Sequence, residues 1–151
     1  MNWVINLNLI KMYGMFNTTQ KELVSFFRNY SNTVNGDDFK LKVDLTYNKS
    51  VIDTNKCRRS IINLKKHLSK IGIRMNGVYV NEYSKVYHLH NHCLIWVDCD
   101  WEVGKKHIKN YWSKIGLSLI EKYDSKLGGC EYMVKHIGVN QSNSWDLIEN
   151  L

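Results

Sequence analysis

Three histidines stand at alternate positions in the stretch VYHLHNHCLIWVD, residues 86–98: His88, His90 and His92. Further on, GGCEYMVKHIG (128–138) sets Tyr132 three and four residues ahead of Lys135 and His136. On a β-strand, positions i, i+2 and i+4 line one face, so the imidazoles form a row. A metal ion needs neutral nitrogen donors held convergently, and such a row supplies them. On a helix turning about 100° per residue, Cys130, Val134 and Ile137 share one face. Tyr132 lies roughly opposite, with Lys135 and His136 as its neighbours. A phenol placed beside basic groups is a competent nucleophile toward phosphorus when a metal polarises the phosphate. The plainer readings are a water-bonded polar strand and an ordinary surface tyrosine.

Elements must exist to position these groups. FKLKVDLTYN alternates, with Phe39, Leu41, Val43, Leu45 and Tyr47 facing one way and Lys40, Lys42, Asp44 and Thr46 the other. This predicts a half-buried strand with a polar, partly basic second face. NKCRRSIINLKKHLSKIG predicts a helix burying Cys57, Ile61, Leu64 and Leu68 and stopped by Gly72. RMNGVYVNEYS and VYHLHNHCLIWVD read as two strands close enough for a hairpin. EVGKKHIKNYWSKIG is a second helix ending at Gly116, LSLIEKY a fourth strand, and GGCEYMVKHIG a final helix. Upstream, TQKELVSFFRNY predicts a helix with Thr19 and Glu22 at capping-box spacing and an apolar stripe of Leu23, Phe26, Phe27 and Tyr30. The turn-rich NTVNGDD (32–38) breaks it from the rest, so residues 1–31 read as an N-terminal appendage to a core at 38–138.

From residue 38 the order is β-α-β-β-α-β-α. This gives an α+β fold whose first six elements match the ferredoxin-like, RRM-like split βαβ arrangement. Such an antiparallel sheet carries helices on one face and can leave the other open. The 151 residues predict a single domain, long enough for a core without disulfide staples. The net charge of +7 favours a polyanionic partner, foremost nucleic acid. Cys57, Cys93, Cys99 and Cys130 show no C-x-x-C spacing, so they read as reduced thiols of an intracellular protein. The first 14 residues make a poor signal peptide, and no run approaches a membrane span.

With these residues in view, the chain resembles the HUH endonucleases, the rolling-circle replication initiators (Rep proteins). YHLHNHCLIW is similar to their His-hydrophobic-His motif, read here as His90-Asn91-His92 followed by the apolar run Cys93 to Trp96. YMVK is similar to their Y-x-x-K motif on a helix after the last main strand. VYVNEY resembles the strand that often contributes an acidic residue, here Glu82, and KVDLTY resembles their first strand motif. Asn91 stands where the residue between the ligands is usually apolar. The pair His88/His90, with Leu89 between, is therefore an alternative to His90/His92. Many relatives carry a second tyrosine where this chain has His136.

The resemblance implies metal-dependent nicking and joining of single-stranded DNA that initiates rolling-circle replication of a virus or plasmid. Mn²⁺ or Mg²⁺ would sit on His90, His92 and Glu82. Tyr132 would form a 5′-phosphotyrosine and free a 3′-hydroxyl, with Lys135 steadying the phosphate. Lys40, Lys42, Arg58, Arg59, Lys105, Lys106 and Lys109 are candidates for contacts to backbone phosphates, which makes binding salt-dependent. The implied partners are single-stranded DNA at a replication origin, a host polymerase and a helicase, in the cytoplasm of the host cell; a homodimer is also compatible. An HUH single-strand transposase would share the chemistry, although its usual glutamine shortly after the tyrosine is absent until Gln141. A reading of another class is a non-catalytic nucleic-acid-binding ferredoxin-like module stacking bases on Tyr79, Tyr83 and Trp96.

Overall fold

The computed structural model describes residues 13–49, 51, 53–83, 88–138 and 143–149. Readings that involve residues 1–12, Tyr87 and Gln141 lie outside these. In chain order the elements are α1 (Thr18–Asn35), β1 (Leu41–Leu45), α2 (Thr54–Lys70), β2 (Met75–Tyr83), β3 (Leu89–Val97), α3 (Trp101–Trp112), β4 (Ser118–Lys122), α4 (Gly129–Ile137) and β5 (Trp145–Ile148). The strands form one antiparallel sheet in the order β4-β1-β3-β2-β5. The first four strands thus have the ferredoxin-like arrangement that the element order predicts. β5, which the sequence pattern did not reveal, adds an edge strand beside β2.

The alternation of β1 sorts the sheet into two faces. Leu41, Val43 and Leu45 enter a core with Ile61, Leu64 and Leu68 of α2 and Ile108 and Trp112 of α3. The α2 stripe is the predicted one. Trp112 is fully buried, and its indole Nε1 donates to the Thr46 carbonyl at 2.8 Å, so burial leaves no polar atom unpaired. Gly116 is needed here because a Cβ would collide with that same Thr46 carbonyl oxygen.

The second face is not left bare. Val24 and Phe27 of α1 and Cys130, Met133, Val134 and Ile137 of α4 pack over Val78, Val80, Leu94 and Trp96. The segment read as an appendage therefore contributes α1 to a second core. Phe39 belongs to this core rather than to the α2/α3 side, because it precedes the pleated part of β1. α1 also differs from its predicted limits. Asn17, not Thr19, is the N-cap, and Gln20 completes the capping box. The helix runs through the predicted break to a left-handed Gly36. Its buried stripe is Gln20, Val24, Phe27 and Ser31, rotated from the expected one, and Phe26 is exposed. Two polar links tie α1 down: reciprocal amide hydrogen bonds between Asn35 and Asn76 of β2, and the ion pair of Arg28 with buried Glu131 of α4. What remains open on this face is the sheet end beside the last two turns of α4.

Candidate functional site

At that end, sheet register assembles the side chains. Glu82 of β2 lies directly opposite His90 of β3, and Asp44 of β1 directly opposite His92. All four project to the α1/α4 side, because their neighbours Val43, Cys93 and Tyr79 enter the other core. The Glu82 carboxylate reaches both histidines: Oε1 lies 3.2 Å from His90 Nε2, and Oε2 lies 3.2 Å from His92 Nε2. Asp44 Oδ1 is 2.7 Å from His92 Nδ1. With the carboxylate accepting, His92 carries its proton on Nδ1 and presents Nε2 as a lone pair.

α4 crosses above this row and brings two rings down to it. His136 stacks on His92, centroids 3.9 Å apart and planes 13° from parallel, and its Nδ1 pairs with Glu82 Oε2. Tyr132 stands edge-on to His136 at 4.3 Å and to His92 at 5.9 Å. Lys42 Nζ sits 4.3 Å from the centre of the Tyr132 ring, a cation–π contact. Lys135 is exposed on the same helix.

The electrostatics follow from burial and these neighbours. Burial alone would raise the Asp44 pKa. The hydrogen bond and charge of His92, with Lys42 and His136, outweigh it and hold the carboxyl below its usual range. Burial, then the adjacent His92, push His136 down and keep it neutral against the pull of Glu82. Burial raises the Tyr132 phenol, and the carboxylates Asp44, Glu82 and Glu121 raise it further. The nucleophile candidate is therefore protonated at neutral pH until positive charge arrives beside it.

Two ring nitrogens, His92 Nε2 and His136 Nε2, are buried without a hydrogen-bond partner. The 3.2 Å approach of His92 Nε2 to Glu82 lacks hydrogen-bond alignment. Buried polar atoms without partners are costly. Ligand atoms of Glu82, His92 and His136 all lie within 4.8 Å of one another. Neutral imidazoles with a carboxylate fit a divalent transition ion such as Mn²⁺ better than Mg²⁺, which favours oxygen.

The other sequence candidates fall elsewhere. Arg58 and Arg59 on α2 and Lys105, Lys106 and Lys109 on α3 ride helices that pack on the opposite sheet face from Tyr132. Lys40 donates to the Cys99 carbonyl at 2.9 Å. Asn91, between the two histidines, points away from them into a buried polar chain. Tyr47 Oη donates to its Oδ1 at 2.6 Å, and its Nδ2 donates to Asn81 Oδ1 at 2.7 Å. That explains a polar residue where an apolar one is usual. His88 precedes β3 and is half-buried. Of the proposed base-stacking aromatics, Tyr79 and Trp96 are buried and Tyr83 is exposed. The other tyrosine near α4, Tyr123, is spent: its hydroxyl lies 3.5 Å from Cys130 Sγ, and burial raises its pKa strongly.

Compared with known protein families, residues 40–140 match the replication-associated protein family typified by ORF2. The chain belongs to this family. No curated protein and no solved structure matched. The matched segment of this replication-associated protein runs from β1 to just beyond α4 and holds Lys42, Asp44, Glu82, His90, His92, Tyr132 and His136. Among the described residues, no helix is long and apolar enough to cross a membrane.

Sequence reading missed two members of the cluster. Asp44 was visible only as one polar position of an alternating strand, because its partner depends on the β1–β3 register. His136 was noted as a neighbour of Tyr132, but its contact with Glu82 requires knowing where α4 crosses the sheet.

Proposed function

We propose that this replication-associated protein is an HUH-type endonuclease and strand transferase. It nicks and rejoins single-stranded DNA at the origin of a virus or plasmid and so starts rolling-circle replication. The observation that carries the reading is the placement of Tyr132 against the imidazole–carboxylate cluster, with its ring edge-on to His136 and His92 and a lysine over its face.

Glu82, His92 and their imidazole neighbours would hold a divalent cation, Mn²⁺ or Mg²⁺. When bound, the ion supplies a Lewis acid that polarises the scissile phosphate and offsets charge in the transition state. The chain does the rest. Asp44 fixes the tautomer of His92. α4 holds Tyr132 over the sheet end, and Lys42 keeps positive charge on the phenol. The Tyr132 oxygen attacks phosphorus as its proton leaves. A Tyr–O–P bond forms, the P–O3′ bond breaks, and the departing oxygen leaves as a 3′-hydroxyl. The reverse attack by a 3′-hydroxyl rejoins the strand and frees the tyrosine. Lys135, one turn along α4, is placed for contact with a phosphate approaching Tyr132. The basic residues of α2 and α3 lie too far round the fold for that phosphate; they suit DNA flanking the nick.

Incubation with single-stranded origin DNA and Mn²⁺, followed by proteolysis and mass spectrometry, tests this. The expected result is one nucleotide adduct, on Tyr132. An adduct on another tyrosine would refute the assignment.

A further inference from the structure

The metal reading of the sequence centres on His90, His92 and Glu82, but Glu82 divides its two oxygens. Oε1 faces His90, whereas Oε2 faces both His92 and His136. The two buried ring nitrogens left without a hydrogen-bond partner belong to His92 and His136, not to His90. His92 cannot turn its Nδ1 to a metal without giving up Asp44, so Nε2 is its only ligand atom. His136 is three-quarters or more buried, with a side-chain exposure of 17%, and is held against His92 face to face. Two stacked imidazoles beside a single carboxylate oxygen satisfy each other poorly, since neither ring can donate to the other's face-on nitrogen. A cation shared by both nitrogens and that oxygen, reached by small rotations of the rings, satisfies all three.

We propose that His136, on the helix of the nucleophile itself, is a ligand of the metal together with His92 and Glu82, and that His90 acts from outside by orienting Glu82. This rests on the metal-dependent reading given above and goes beyond it by assigning the ion a second task. His136 and Tyr132 are four residues apart, on adjacent turns of one helical face. An ion bound to His136 ties α4 to β2 and β3, and so sets the distance from the ion to the phenol. The metal site and the nucleophile then form one unit: ordering of the last turn of α4 and metal occupancy rise together.

The test is metal binding by the full chain without DNA, with Mn²⁺ followed by calorimetry and by paramagnetic broadening of histidine ring resonances. Wild type is compared with His136→Ala, His136→Gln, His90→Ala and His92→Ala, with circular dichroism confirming that each variant folds. The proposal expects His136→Ala and His92→Ala each to weaken Mn²⁺ at least about 100-fold, and His90→Ala about tenfold, the size of an outer-partner effect. His136→Gln, which restores one oxygen donor, recovers part of the loss, and the His136 ring is among those broadened first. Wild-type affinity in folded His136→Ala, with strong loss in His90→Ala, overturns this ligand set while leaving metal dependence standing. No Mn²⁺ binding by wild type removes both.

Discussion

Replacing Asp44 with asparagine probes how the cluster is built without touching a group that contacts the ion. The Asp44 carboxylate lies 2.7 Å from His92 Nδ1 and is a quarter exposed, while the His92 side chain is nine-tenths buried. Asparagine is close in shape, and its amide oxygen can still accept from Nδ1–H. What disappears is the negative charge that fixes the tautomer and makes Nε2 more basic. Loss of such a carboxylate partner typically costs 10–100-fold in metal affinity, about 1.4–2.7 kcal/mol. Asp44→Ala, which also removes the acceptor, should cost more than Asp44→Asn. The apo protein gives an independent sign. The folded-state pKa of Asp44 is depressed, so its contribution to stability is present above the unfolded carboxyl pKa. It fades as pH falls through the folded value. The wild-type advantage over Asp44→Asn in urea unfolding should therefore be full at neutral pH and vanish in acid. Mn²⁺ affinity by calorimetry and urea titrations across pH measure both effects. An asparagine variant that binds Mn²⁺ as tightly as wild type would refute the role given to this contact.

Gly77→Ala should destabilise the fold by about 3 kcal/mol in urea unfolding, because a Cβ there meets the Leu94 carbonyl oxygen of the paired strand. The raised pKa of Tyr132 makes the neutral phenol dominant at pH 7, so the nicking rate should climb with pH. Mn²⁺ should shift that rise to lower pH, read as phenolate absorbance lost in Tyr132→Phe. Single-strand binding should weaken steeply with salt, and removing Lys42 should lower the slope of log affinity against log salt by about 0.7.

Local patterns carried much of the fold. The strict alternation of 39–47 and the 57/61/64/68 stripe are period-2 and period-3.6 signals that tertiary packing did not override. α1 was harder, since several apolar side chains can claim its buried face. Its actual stripe includes Gln20 and Ser31, chosen by hydrogen bonding at its two ends. The turn-like composition of 32–38 marks where the helix stops, at Gly36, not where it weakens. β5 is four residues of mixed polarity whose strand state depends on the edge of β2. For the site, His90, His92 and Glu82 were legible because a tight hairpin fixes their register from sequence alone. Asp44 and His136 come from elements 48 and 44 residues from His92 in the chain, and only the folded sheet and the crossing of α4 bring them together.

The most direct test of the central claim is a denaturing gel of single-stranded DNA carrying candidate origins, incubated with Mn²⁺ and wild type, Tyr132→Phe or His90→Ala/His92→Ala. The account predicts nicking and a denaturant-resistant protein–DNA adduct with wild type, and neither product with the two variants. An adduct that survives Tyr132→Phe, or DNA binding with no cleavage by wild type on any substrate including hairpins, would contradict it.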